Sequence, residues 1–169
     1  DKTVIVYDIG CIGNMADFVK GWGIHSLHGR SIPTAVGVKM ANPELNVIAI
    51  GGDGGIYGEG LSHLIAAARL NIDLTVIVAN NQLYSLTTGQ SSPTTPKGSK
   101  TKSTPKGVES VPVTPIELIK AVNPEALAQR VNCNEPLKVN EAIEKAIKHK
   151  GFDLLDLNQL CVSFGKQLR

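Results

Sequence analysis

The sequence predicts an α/β fold, a doubly wound, mostly parallel sheet with helices on both faces. Two observations carry that expectation. The strand-like segments are continuous apolar runs, not alternating ones, at residues 3–7, 47–50, 72–79 and, more weakly, 152–157. Such runs suit strands buried on both faces, as in a parallel sheet covered by helices. Between them lie stretches with helical spacing, and strands that alternate with helices imply a doubly wound sheet. The length of 169 residues suits a single domain, residues 1–169, with a sizeable core. With 42% hydrophobic and 19% charged residues, the composition excludes a disordered chain and a collagen-like repeat. The net charge of +2 gives no reason to expect nucleic acid. No apolar run approaches the roughly 20 residues that cross a bilayer, so no membrane is expected.

Taken in order, Thr3-Val4-Ile5-Val6-Tyr7 opens the chain as a strand. Asp1 is not an initiator Met, and a strand this close to it predicts a piece of something longer. Residues 31–41 read as a helix with Pro33 in its first turn, where a missing N–H is tolerated. Residues 47–50 form the next strand. Residues 60–70 follow as a helix, with Leu61, Leu64, Ile65 and Ala68 on one face. The run 72–79 is a further strand. Thr114-Pro115-Ile116-Glu117 supplies a cap residue, a first-turn Pro and a Glu, the start of a helix. Residues 140–149 repeat Ala142, Ile143, Ala146 and Ile147 against charges on the opposite side, and 152–157 close the sheet.

One stretch breaks the alternation. Residues 91–107 are rich in Pro, Ser, Thr and Gly and carry Lys97, Lys100, Lys102 and Lys106 with no acidic residue. A connection this long is either a solvated flexible loop or functional, here a basic lid or docking loop for phosphates or an acidic partner.

The chemistry concentrates at Gly51-Gly52-Asp53-Gly54-Gly55, directly after a strand and ahead of a helix. Glycines let the backbone approach a ligand, and a helix N-terminus offers free N–H groups to an anion. A carboxylate inside that turn would repel bound phosphates unless a cation lay between them, which suggests Mg²⁺ bridging Asp53 and a diphosphate. Mg²⁺ takes roughly six oxygen ligands at about 2.1 Å. The next strand ends in Asn80-Asn81-Gln82-Leu83-Tyr84. Neighbouring parallel strands both end at the sheet's carboxyl edge, so Asp53 and Asn81 can face one ion across 28 positions. Alone, Asn80-Asn81 would be a turn after a strand; paired with Gly52-Asp53-Gly54 it reads as a metal site.

A Gly-Asp-Gly motif followed at this distance by Asn-Asn resembles the motif of thiamine-diphosphate enzymes. Asp8-Ile9-Gly10-Cys11, His25-Ser26-Leu27-His28-Gly29-Arg30-Ser31-Ile32-Pro33 and Gly37-Val38-Lys39-Met40-Ala41-Asn42-Pro43 narrow the resemblance. So do residues 81–94 and the late Gln159-Leu160-Cys161-Val162-Ser163-Phe164. Together they are similar to the β subunit of the 2-oxoacid:ferredoxin oxidoreductases over essentially the whole chain. Members of that family extend further at the N-terminus and commonly at the C-terminus.

The resemblance implies the thiamine-diphosphate-binding fold and a set of site residues. Asp53, the Asn81 side chain and the main-chain oxygen of Leu83 would bind Mg²⁺. Gly54 and Gly55 would hold the diphosphate, with Ser85 and Leu86 closing the other side; Ser85 stands where the family usually has glycine. Ile9, Gly10, Cys11 and Ile12, with His28, Gly29, Arg30 and Ser31, would line the rest of the cofactor. In the family, four cysteines hold a [4Fe–4S] cluster. Cys11 and Cys161 match two of them, and Gly165 replaces the Asn common near the second. The family's N-terminal Cys-x-x-Cys is absent from this sequence, so the ligand set is incomplete. Cys133 matches none and is expected to be a buried, inert thiol. His63 and His149 are expected on helices as surface or packing residues, and Phe18 and Trp22 as packed residues of the loop after Cys11.

The activity implied is coenzyme A-dependent oxidative decarboxylation of a 2-oxoacid, with electrons passed to ferredoxin, in a cytoplasmic hetero-oligomer. The glutamate that activates the cofactor would come from the α subunit or a pyrimidine-side domain, since Glu59 sits on the diphosphate side. The isolated chain is therefore expected to be inactive. Two alternatives remain at this point: a non-redox thiamine-diphosphate decarboxylase or synthase subunit, and a catalytically silent phosphate-binding assembly domain.

Overall fold

The computed structural model describes residues 2–168. Its centre is a six-stranded, wholly parallel sheet. The strands are β1 (Thr3–Tyr7), β2 (Trp22–His25), β3 (Asn46–Gly52), β4 (Leu74–Asn80), β7 (Leu127–Asn132) and β8 (Phe152–Asn158), in the order β2-β1-β3-β4-β8-β7. A small antiparallel pair, β5 (Leu83–Tyr84) and β6 (Gln90–Ser91), stands apart from it. Four helices complete the chain: α1 (Ser31–Ala41), α2 (Leu61–Leu70), α3 (Pro115–Val122) and α4 (Pro136–Lys148).

The strand sequences explain the layers. In β3, Val47 and Ala49 join one core with Ile32 and Ala35 of α1, Leu64, Ala67 and Ala68 of α2, and Ile119 of α3. Ile48 and Ile50, on the opposite face, pack with Ala142 and Ala146 of α4 and with Ile12 and Met15 of the 3₁₀ segment Cys11–Asp17. Every residue of β4 is buried, as its uninterrupted apolar run requires. A fully buried Leu or Ile in these layers contributes about 1.5–3 kcal/mol. Helices thus cover both faces of the sheet.

Several expectations shift. The 72–79 run becomes a strand two residues later, and the 47–50 run extends through Gly51 and Gly52. Periodicity did not reveal β2 or β7. Both are edge strands with much exposed surface, and neither needs a continuous apolar run. Trp22 lies on β2 and is 70% exposed, and Phe18 is 85% exposed, so neither packs as expected. Cys133 is likewise exposed and not buried, although partial burial still raises its thiol pKa. Residues 91–107 do not form a solvated, unpacked loop. Ser92, Thr94, Thr95 and Thr101 are buried, and Gly98 N–H donates to Val108 O at 2.8 Å. The four lysines all point outward from this strap.

At the other end of the sheet, His149 caps α4 with Nδ1 2.7 Å from Asp153 Oδ1 on β8. Burial pushes the Asp153 carboxyl up to about 7, with His149 pulling it partly back. The folded state therefore keeps a proton that the unfolded chain releases, and stability falls as pH rises from about 4 to about 7. Asp153→Asn is expected to flatten this part of the pH profile, worth at most about 4 kcal/mol. Thermal melts at pH 5 and pH 8 on both proteins check it.

Candidate functional site

Strands β1, β3 and β4 deliver Asp8, Asp53 and Asn81 to the carboxyl edge of the sheet. The chain order reverses between β1 and β3, which is where open parallel sheets bind ligands. A cleft of about 100 Å³ opens there. Of the residues singled out in the sequence, Ile9, Gly10, Cys11, Ile12, His28, Asp53, Gly54, Gly55, Asn81, Leu83, Ser85 and Leu86 all line it. Gly29, Arg30, Ser31 and Cys161 do not. Ser31 is fully buried at the start of α1, behind the cleft.

Asp8 organises this edge. Its fully buried carboxylate accepts hydrogen bonds from Ile9 N–H at 2.8 Å, Gly29 N–H at 2.9 Å and Ser31 Oγ at 2.8 Å. One side chain thus ties the 9–12 turn to the 28–31 turn. Gly29 has φ +70°, and a Cβ there would lie 2.5 Å from Glu59 Cβ, so only glycine fits. Arg30 closes the same corner by donating from Nη1 to Glu59 O at 3.0 Å.

The glycine motif departs from expectation in one respect. Helical geometry begins at Asp53, not at residue 60, and continues as a π-helical segment, Gly54–Glu59, into α2. Gly60 N–H accordingly donates to Gly55 O at 2.8 Å, one residue further back than in an α-helix. Burial of Gly54, Gly55, Ile56 and Tyr57 overrides the poor helix propensity of the glycines. A Cβ on Gly54 would lie 2.3 Å from the Tyr84 ring, so the backbone here is packed too closely for any side chain. The free N–H groups of a helix start therefore fall on the glycine turn itself.

Asp53 is 1% exposed, and burial raises its carboxyl pKa against the pull of its hydrogen-bond donors. Oδ2 accepts from the hydroxyls of Ser92 and, at 2.9 Å, Thr94. Oδ1 accepts the Asn81 N–H at a long 3.3 Å. Asn81 Oδ1 accepts from Leu83 N–H at 3.0 Å and Ser85 Oγ at 3.2 Å. The Ser85 hydroxyl also reaches the Cys161 thiol. Turned that way, it leaves the amide oxygen with the Leu83 N–H and one free lone pair. One carboxylate oxygen and one amide oxygen make a hard-oxygen pair whose chemistry fits Mg²⁺.

Two further groups complete the picture. The Tyr84 hydroxyl donates to Glu59 Oε1 at 3.3 Å, and burial, then the Glu59 charge, push its pKa up to about 12. His28 Nδ1 lies 3.3 Å from the other Glu59 oxygen. Glu59 is thereby engaged away from the cleft. Burial raises the Cys161 thiol, but hydrogen bonds from Ser85 and from the N–H groups of Phe164, Ser163 and Gly165 outweigh it and lower its pKa. Among the described residues no three His, Cys, Asp or Glu side chains cluster in a metal-binding arrangement. The oxygen-rich Asp53 corner does not need one; a four-thiolate cluster does, and these residues alone do not hold it.

Asp8, Ser92, Thr94 and Gln159 had no assigned role in the sequence. Asp8 is detectable in principle, as a carboxylate ending an apolar strand. The hydroxyls of residues 91–95 were legible as loop composition and, up to Thr94, as part of the stretch that carries the resemblance, but with no role assigned.

Residues 8–157 match the family model described as thiamine pyrophosphate enzyme, C-terminal TPP binding domain. The chain belongs to this family. The TPP-binding domain is 44% identical over 165 residues to the 2-oxoacid:ferredoxin oxidoreductase subunit beta of Saccharolobus solfataricus, covering 96% of this chain and 54% of that one. It is 41% identical over 161 residues to the 2-oxoglutarate synthase subunit KorB of Archaeoglobus fulgidus, covering 95% and 60%. Among solved structures, it superimposes with a TM-score of 0.93 and 31% identity on the 2-oxoglutarate:ferredoxin oxidoreductase from Magnetococcus marinus, solved with 2-oxoglutarate, coenzyme A and succinyl-CoA bound. That alignment covers 96% of this chain and 56% of the other. The chain thus spans little more than half the length of the relatives it matches.

Proposed function

We propose that this chain is the thiamine-diphosphate and Mg²⁺-binding part of a 2-oxoacid:ferredoxin oxidoreductase, working with an α subunit or an equivalent pyrimidine-side domain. The observation that carries the reading is the meeting of Asp53 and Asn81 over a glycine turn, in a fold similar throughout to those enzymes. Asp53, Asn81 and the Leu83 carbonyl would hold Mg²⁺, and the N–H groups of Gly54 and Gly55 would receive the diphosphate. When bound, thiamine diphosphate supplies the electron sink that lets a 2-oxoacid lose CO₂. Ile9, Gly10, Ile12, His28 and Leu86 would orient the cofactor and exclude water from it.

Cys11 lines the cleft, and Cys161 has a lowered thiol pKa, which suits a thiolate ligand. They would supply two of four ligands to a [4Fe–4S] cluster, completed by thiols outside these residues. The activating glutamate would come from the partner, leaving the isolated chain inactive; the nearby Glu59 is already engaged by Tyr84 and His28. A cytoplasmic setting belongs to this proposal, and there the three cysteines, free in the structure, would stay reduced.

The test is 2-oxoacid-dependent reduction of ferredoxin by the assembled enzyme, with and without coenzyme A, across a panel of 2-oxoacids. Decarboxylation with no electron transfer would move the chain to a non-redox enzyme. In the same assay, Lys97, Lys100, Lys102 and Lys106 all replaced by Gln should raise the apparent KM for ferredoxin or coenzyme A by about tenfold at low salt, and by less at high salt. Unchanged kinetics for both, with normal assembly, would make the lysine face of the strap a solvated surface only.

A further inference from the structure

A line of polar side chains, buried except at its last member, runs from the Asp53 corner across the sheet to the half-exposed Arg130 at its far edge. Arg130, on the edge strand β7, donates to Asp156 Oδ2 on β8 from Nε at 3.0 Å and from Nη2 at 2.6 Å. Asn80, the last residue of β4, donates from Nδ2 to the same oxygen at 3.3 Å. Asn80 Oδ1 in turn accepts from Gln82 N–H at 3.2 Å and from the Thr94 hydroxyl at 2.9 Å. Thr94 lies at the same 2.9 Å from Asp53 Oδ2. Asp156 is fully buried, Asn80 is 2% exposed and Thr94 4%, so little water competes with the bonds among these three, whereas the Arg130 side chain is half exposed.

The direction of this line is chemically fixed. An ionised carboxylate can only accept, so Asp156 holds the Asn80 amide with its NH₂ toward β8 and its oxygen toward Thr94. Thr94 has one hydroxyl proton and faces two acceptors at equal distance. The Asn80 oxygen therefore competes with Asp53 for that proton. Were the amide to turn over, its NH₂ would face the Thr94 oxygen, and Thr94 would donate wholly to Asp53. The carboxylate would then offer less negative charge to a cation. Arg130 aligns the buried Asp156 carboxylate and supplies its counter-charge, without which burying it would be costly. A buried ion pair is in itself poor evidence of stabilisation, since an apolar pair of similar size serves as well.

We infer that Arg130 is a positioning residue for the metal-binding carboxylate Asp53, acting through Asp156, Asn80 and Thr94. The inference rests on the Mg²⁺ reading above. Outer partners of metal ligands typically change affinity by about 10–100-fold, and one this remote belongs at the lower end.

The experiment measures Mn²⁺ binding to the assembled enzyme, with thiamine diphosphate present, from the electron paramagnetic resonance signal of free Mn²⁺. Arg130→Gln should raise the Mn²⁺ dissociation constant about tenfold. Arg130→Lys, which keeps the charge but not the two-pronged contact, should recover part of the loss. The paired Arg130→Gln/Asp156→Asn variant carries no unpaired buried charge and decides the matter if the single variant does not fold. A purely structural role would lower the melting temperature and leave the dissociation constant of the folded protein unchanged, and that result would overturn the inference. If Asp53→Ala also bound Mn²⁺ as tightly as the parent, the metal site itself would be refuted. Loss in Asp53→Ala with parental affinity in both Arg130→Gln variants would refute only the role of Arg130.

Discussion

Asp53→Asn is expected to abolish Mg²⁺-dependent retention of thiamine diphosphate while leaving the metal-free fold at least as stable as before. The two halves of this result have one cause. Asp53 is 1% exposed, and burial raises its carboxyl pKa. A raised carboxyl pKa means that the folded state favours the protonated form. The ionised side chain therefore costs stability as pH rises from about 4 through the raised value. Asparagine keeps the shape and removes that charge. Its amide can still pair with Asn81 N–H and with the hydroxyls of Ser92 and Thr94, which rotate to donate or accept. What it cannot supply is the anionic oxygen for the metal. The affinity loss should exceed the roughly 10–100-fold typical of outer partners. Equilibrium dialysis of thiamine diphosphate with and without Mg²⁺, beside melts at pH 8, checks both halves. Retained binding with a much lower melting temperature would make Asp53 a structural residue.

Asp8→Ala should behave in the opposite way, with a large loss of stability in the metal-free protein. Its carboxylate serves three donors, Ile9 N–H, Gly29 N–H and Ser31 Oγ, all within 2.9 Å and out of water. Leaving them unsatisfied should cost about 3–5 kcal/mol. For a chain of this size that lowers the melting temperature by on the order of 10 °C. Asp8→Asn should retain most of the stability, because Oδ1 can accept both N–H groups while Nδ2 donates to the Ser31 oxygen. Equal damage from Ala and Asn would mean that the charge, and not the hydrogen-bond count, is what Asp8 contributes. The pair Asp53→Asn and Asp8→Ala thus separates a residue placed for a ligand from one placed for the frame around it.

The sheet was legible where burial on both faces forces a simple pattern. β4 is fully buried and its sequence is a near-continuous apolar run; β8 is mostly buried, but Asp153 and Asp156 interrupt its run and weaken the signal. β2 and β7 sit at the edges, where one side is open, and their mixed sequences carry no such signature. The Asp53–Asn81 corner was legible because the elements on either side of it are short and regular, which makes their ends meet. Ser92 and Thr94 were not, since their approach to Asp53 depends on how a seventeen-residue strap folds back, and no periodicity encodes that. Phe18, Trp22 and Cys133 were misread for a related reason. Residue type sets a preference for burial, but position at the sheet edge decides it.

The all-parallel sheet has a kinetic consequence for the site. Leu74 pairs with Phe152, so β4 cannot acquire its second neighbour until the strap, α3, β7 and α4 have all been traversed. Such closures of long chain segments are slow, because the entropy of bringing the ends together is lost before the ladder rewards it. Asp156 arrives on that last strand, and with it the anchor that orients Asn80. The glycine turn and Asp53 lie in the first third of the chain, yet their final geometry waits on its last twenty residues. A chain released before β8 is made would hold the recognisable motif but not a formed site. Cofactor capture therefore belongs at the end of folding and cannot serve as its nucleus.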